Sequence, residues 1–189
     1  MSTEYIITVM ARDRVGIVAD VSRVLTGLGG NITDLSQTLL RGYFTLIISA
    51  EMPDTLTRDQ VREAVARAGA PREFGVEVSL YQPVDASETT PAERFVLTTR
   101  GADTPGIIAG VTSYLQEHSI NIEDFYAHVV AGDLLMILHV AVPFELNIGQ
   151  IQHDIEQVGK EFGLTVHLQH ENIFRVTNEV RAVRELRSG

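Results

Sequence analysis

The sequence predicts an α+β chain made of two tandem β-α-β-β-α-β units with antiparallel sheets, on three observations. The first is a repeat. Asp13-Arg14-Val15-Gly16-Ile17-Val18 returns as Asp103-Thr104-Pro105-Gly106-Ile107-Ile108, and Gly30-Asn31-Ile32 returns as Ile120-Asn121-Ile122. Gly106 stands 90 positions after Gly16, Asn121 stands 90 after Asn31, and the same offset links Gly42 to Gly132, Pro53 to Pro143 and Gly69 to Gly159. One register held over a whole unit without a gap marks a duplicated domain. The second observation is that hydrophobic spacing alternates between strand and helix periods in the same order in both copies. The third is length: 189 residues divide into two domains of roughly 80–90 residues each.

The elements follow in order. The apolar run Tyr5 to Met10 reads as a strand. Asp13 is placed to cap a helix starting near Val15 or Gly16, because its carboxylate can accept from orphan N–H groups there. Ile17, Val18, Val21, Leu25 and Leu28 form one apolar helix face, and Gly29-Gly30 ends it through a left-handed residue. Ile32 to Leu40 and Tyr43 to Ala50 read as strands joined by a tight turn at Arg41-Gly42. A second helix spans about Thr57 to Ala68, with Thr57 as its cap, and Val76 to Leu80 closes the unit. The second copy repeats this with Phe125–Val130, a turn at Ala131-Gly132, Leu134–Val142, a helix from about Asn147 to Phe162, and a strand Val166–His170. The order β-α-β-β-α-β with right-handed crossovers is the ferredoxin-like split βαβ sandwich.

The resulting boundaries are 1–81 for the first domain, 82–94 for a polar linker with two prolines, 95–171 for the second domain, and 172–189 for a helical extension. In that extension Val180, Val183 and Leu186 lie on one face and Arg181, Arg184 and Arg187 on another. The basic face reads either as solvated or as a contact for nucleic acid or an acidic partner. In the third strands Ile47 opposes Phe44, Leu46 and Ile48, and Leu135 and Ile137 oppose Leu134, Met136 and Leu138. An open sheet face would be polar there, so this pattern predicts a face covered by the other unit or by a second chain, and a homo-oligomer is expected.

Composition narrows the function. With 44% hydrophobic residues the chain is globular, and without cysteine it has no disulfide, thiol nucleophile or thiolate metal site, as in a reducing cytoplasm. The N-terminus has no signal-peptide pattern, and the longest apolar run, Leu134 to Val142, is too short to span a bilayer. A net charge of −10 opposes direct nucleic-acid binding. No nucleophile elbow, phosphate loop, dinucleotide fingerprint or metalloprotease motif is present, and His167-x-x-His170 points to opposite faces of its strand. The expectation is a non-enzyme without cofactor or metal.

A β-α-β-β-α-β unit with Asp-Arg-x-Gly-Ile after its first strand and Asn-Ile at its second resembles the ACT domain. As a bare tandem pair the chain is similar to the glycine cleavage system transcriptional repressor family. The resemblance implies a regulatory module that binds a small effector, an amino acid above all, where two units meet, and acts on a partner such as a transcription regulator. It implies a site made of Asp13, Arg14, Val15, Gly16 and Ile17 facing Asn31 and Ile32 of a neighbour, and of Asp103, Thr104, Pro105, Gly106 and Ile107 facing Asn121 and Ile122. Helix-start N–H groups suit a carboxylate, and asparagine side chains can accept from an ammonium. The units differ: the first keeps Arg14 but has Val15, and the second keeps Pro105 but has Thr104. The loop has a second reading as a plain cap and turn, and the asparagines have one as helix-end residues tolerant of positive φ. The alternative function is a ligand-free scaffold that oligomerises through its sheet faces.

Overall fold

The computed structural model describes residues 2–83 and 90–176. Two compact units divide the chain near Val84 and Asp85. In the first, β1 (Ser2–Arg12), α1 (Ile17–Gly27), β2 (Asn31–Leu40), β3 (Tyr43–Pro53), α2 (Arg58–Ala66) and β4 (Gly75–Leu80) follow in chain order. In the second, β5 (Ala92–Ala102), α3 (Ile107–Glu117), β6 (Asn121–Val130), β7 (Asp133–Pro143), α4 (Ile148–Glu161) and β8 (Thr165–His170) repeat the plan. The sheets have orders β2-β3-β1-β4 and β6-β7-β5-β8, with every neighbouring pair antiparallel. Each unit is therefore the ferredoxin-like sandwich.

Alternation along the central strands builds each core. Ile7 and Val9 of β1 and Leu46 and Ile48 of β3 are fully buried against Val21 and Leu25 of α1 and Val61 and Val65 of α2. Leu97, Met136 and Leu138 hold the same places against Val111, Leu115, Ile151 and Ile155. Each such side chain contributes about 1.5–3 kcal/mol of transfer free energy, so the two cores are secured by the period-two pattern itself. Thr57 caps α2 in a reciprocal box with Gln60, and Asn147 caps α4 by accepting from the Gln150 N–H.

Two-residue turns close the β2–β3 and β6–β7 hairpins, with left-handed backbone at both positions: Arg41 (φ 50) and Gly42 (φ 79), then Ala131 (φ 53) and Gly132 (φ 89). A register shift between Ile32 and Asp34, repeated between Ile122 and Asp124, puts Thr33 and Glu123 in equivalent β-bulges. Such a bulge re-aims the side chain it carries.

Three expectations need correction. Asp13 does not cap α1. Its N–H donates to the Gly42 carbonyl at 2.9 Å, which ties it to the sheet end, and the N-cap is Gly16, with no side-chain cap. The helix starts at Ile17 rather than Val15 or Gly16, because Gly16 is left-handed at φ 97. The linker ends earlier than Arg94: β5 starts at Ala92, which pairs with Pro143, so the cross-strand ladder overrides the polar composition there. On the open faces exposure within the single chain varies from place to place. Val96 on the second sheet is fully buried and the Phe174 ring meets its cross-strand neighbour His139 edge-on, while Met10, Ile47 and Leu135 stay exposed. Residues 171–176 are helical; Val180, Val183, Leu186, Arg181, Arg184 and Arg187 lie outside the described residues.

Candidate functional site

The β1–α1 loop is held from both sides. Gly16 takes a left-handed conformation and its carbonyl accepts the first helical bond, from the Asp20 N–H at 2.9 Å. Gly106 (φ 94) does the same for Gly110 at 2.8 Å. This backbone turns the chain from strand to helix in four residues, and leaves Val15 99% exposed at the tip. Ile17 and Ile107 then anchor the helix starts in the cores. The first-turn N–H groups of a helix opened this way are anion donors.

Arg14 is already engaged. Its guanidinium pairs with Asp20 at 2.8 Å and with Glu73, donates to the Val15 carbonyl at 3.1 Å, and lies 5.6 Å over the Phe74 ring. Hydrogen bonds from Arg14 hold the Asp20 carboxyl below its ordinary range, and those from Arg14 and the Ala70 N–H do the same for Glu73. The second unit has none of these groups: Thr104, Gly110 and Gly163 stand at the positions of Arg14, Asp20 and Glu73. There the Phe162 ring fills the space. A Cβ on Gly110 would come within 2.5 Å of that ring, and one on Gly106 would sit 3.7 Å from it. One loop is held by an ionic clasp and the other by an aromatic plug.

Asn31 and Asn121 open β2 and β6 at the opposite end of their sheets. Asn31 and Glu4 both pair with Glu51, so they share a row, while Asp13 lies nine residues further along β1. At about 3.3 Å per residue that is roughly 30 Å. Within one unit, then, Asp13 to Ile17 and Asn31–Ile32 do not meet, and Asp103 to Ile107 and Asn121–Ile122 are separated in the same way. In each unit the loop residues and the asparagine therefore stand at opposite ends of the sheet.

The asparagine ends differ in charge. In the first unit Glu4 accepts from the hydroxyls of Ser49 (2.7 Å) and Thr33 (3.4 Å), and Glu51 stands directly opposite it. In the second, Arg94 occupies the Glu4 position and pairs at 2.9 Å with Glu123, which occupies the bulge position of Thr33. Beside that pair lies a cleft of about 680 Å³ walled by Asn121, Ser119, Ala141 and Pro143. Sequence reasoning missed Arg94, left in the linker, and missed Asp20, Glu73 and Phe162 as supports of the loops. The opposite charge of Glu4 and Arg94 at the 90-residue offset is the signal that would have pointed to the first.

His167 and His170 pair with Thr98 and Phe95, three residues apart on β5, so they do face opposite sides of the second sheet. No described residues form a set of three or more metal-binding side chains, and no helix among them is long and apolar enough to cross a membrane.

Comparisons with known proteins follow the same division. The family model of the ACT domain matches residues 3–80 and again 93–169. A UPF0237 protein of Methanopyrus kandleri is 36% identical over 88 residues, which is 46% of this chain and 98% of that protein. A UPF0237 protein of Corynebacterium glutamicum is 35% identical over 86 residues, 45% of this chain and 97% of that one. These relatives have the length of one unit. Among solved structures, a protein of unknown function from Galdieria sulphuraria superposes with a TM-score of 0.74 at 24% identity, over 90% of this chain and 99% of the other. A candidate glycine cleavage system transcriptional repressor does so with a TM-score of 0.68 at 19% identity, over 89% and 97%. Those two likenesses extend the shared fold to the tandem arrangement. With both units matched and the β-α-β-β-α-β topology present twice, the chain belongs to the ACT domain family.

Proposed function

We propose that this protein is a non-catalytic sensor that binds a free amino acid through its ACT units and transmits the bound state to a partner protein. The observation that carries this reading is the pair of exposed left-handed glycines, Gly16 and Gly106, which open α1 and α3 without a side-chain cap, so that the first-turn N–H groups lack an intrahelical partner. Glycine at such a turn also lets a ligand carboxylate approach the backbone closely. The opposite placement of loop and asparagine in each unit supports the regulatory part. A ligand that engages a Gly16-type loop and an Asn31-type strand start must lie against a second ACT unit, in this chain or in another copy. Its binding would then favour one arrangement of units over another, by its differential affinity for the two. The likeness to a candidate repressor, together with the acidic charge of this chain, supports a DNA-binding regulator as partner rather than DNA itself. Cytoplasmic location is part of the same reading.

The test is thermal unfolding of the full chain against the free amino acids one at a time, glycine and serine included. A ligand at 100 times its Kd stabilises by about 2.7 kcal/mol, a rise of several degrees for a chain of this size. A selective rise supports the sensor; no rise across the panel refutes it. The exposed Met10, Tyr43 and Ile47 on the open face of the first sheet favour a second reading, an oligomerising scaffold without a ligand. Sedimentation that shows only monomer at micromolar concentrations would exclude that one.

A further inference from the structure

We propose that the cleft at the Asn121 end of the second unit binds the zwitterion of the amino acid, with Arg94 forking its carboxylate and Glu123 accepting from its ammonium. This rests on the sensor reading above and names the residues that read the ligand's two charges.

Four observations carry it. The cleft is large enough, at about 680 Å³, for an amino acid with a sizeable side chain. Its polar wall holds one group of each charge needed by a zwitterion: the Arg94 guanidinium offers a planar fork of donors, and the Glu123 carboxylate offers acceptors only. The β-bulge between Ile122 and Asp124 gives Glu123 a position out of the regular ladder, from which it spans β7 to reach Arg94 on β5. Asn121 lies in the same row as Arg94, both paired with Ala141, and its amide can bond either end of the ligand. Arg94 and Glu123 satisfy one another when the cleft is unliganded. Their pair is solvent-facing, with 64% and 34% of the side chains exposed, so it is weakly held and open to exchange for an intermolecular pair on each side.

The first unit lacks this device. At the matching positions it has Glu4, Thr33 and Glu51, two acids and a hydroxyl with no cation among them, and Glu4 accepts from the Ser49 and Thr33 hydroxyls. A carboxylate approaching Asn31 would meet two negative side chains. So the asparagine end of the second unit reads the zwitterion and that of the first does not, although the two share fold and asparagine.

Isothermal titration calorimetry on the full chain tests this. Each free amino acid is titrated singly, and then the strongest binder's amide, which lacks the carboxylate, and its α-hydroxy acid, which lacks the ammonium. Arg94→Met and Glu123→Gln are each expected to weaken binding at least tenfold, both analogues are expected to bind at least tenfold more weakly, and Glu4→Gln is expected to change affinity less than twofold. The urea midpoint of each variant establishes that these exposed substitutions leave the fold intact. Affinity unchanged in both Arg94→Met and Glu123→Gln, or lost as much in Glu4→Gln, overturns the assignment while leaving the sensor reading standing. An absence of binding by every amino acid overturns both.

Discussion

Replacing Gly16 with alanine separates two reasons for a glycine in the loop. At φ 97 the backbone lies in the left-handed half of conformational space, and an L residue there costs about 1–2 kcal/mol. Alanine recovers about 0.4–1 kcal/mol by restricting the unfolded chain. The added Cβ would meet nothing closer than the Arg14 Nη1 at 3.6 Å, an ordinary contact, so no steric penalty enters. The net expectation is a loss of about 1 kcal/mol. Gly132→Ala is the control: φ is 89, no atom lies within 4 Å of the added carbon, and the bond its carbonyl accepts from the Asp103 N–H involves no side chain, so its loss should match within about 0.5 kcal/mol. The assay is urea unfolding of the full chain at pH 7, paired with titration of the amino acid that gives the largest thermal shift. Both variants should lose similar stability, and only Gly16→Ala should also lose affinity, because its Cβ crowds the helix-start N–H groups. Wild-type stability in Gly16→Ala refutes the backbone reasoning. Reduced stability with unchanged affinity removes the loop from the site.

The remaining predictions are more local. Because Arg14 depresses the Asp20 and Glu73 carboxyls below their ordinary values of 3.8 and 4.5, their contribution is fully present above those values and is lost as the pH falls through the lowered ones; Arg14→Met should flatten that acid loss, as read by urea midpoints from pH 6 to pH 2.5. Tyr114→Phe should stabilise by about 1 kcal/mol in thermal unfolding, because the buried hydroxyl has no hydrogen-bond partner. Burial, and then the negative charge of Asp154, pushes the same phenol up to about 12. Ultraviolet titration should therefore show one fewer tyrosine ionising near there in the variant than in the wild type, with wild-type stability falling as the pH rises above 10. Thr57→Ala removes a capping box and should cost about 1 kcal/mol by urea unfolding.

Much of the fold was legible because its signals are local or periodic. Alternation in Phe44 to Ile48 identified the buried face of β3, the helical spacing of Ile17, Val21 and Leu25 identified that of α1, and both two-residue turns were marked by Arg41-Gly42 and Ala131-Gly132. The loop between β1 and α1 was misread at Asp13, because a cap was inferred from residue type, whereas the choice between helix and sheet end was made by the Gly42 carbonyl, 29 positions away. Arg94 was misplaced for a related reason: polar composition is local, and the ladder to β7 that draws residues 92–94 into β5 is not.

The duplicated unit, its element order and the exposed glycine loops were thus determined by the sequence alone, since they rest on identity at a fixed offset and on contacts between near neighbours. Tertiary structure decided what those residues have around them. It set Asn31 and Gly16 at opposite ends of one sheet, closed Arg14 onto Asp20 and Glu73, filled the corresponding space with Phe162, and brought Glu123 across β7 to Arg94. Each of these joins residues from separate elements, and only strand pairing and helix packing bring such residues within reach of one another.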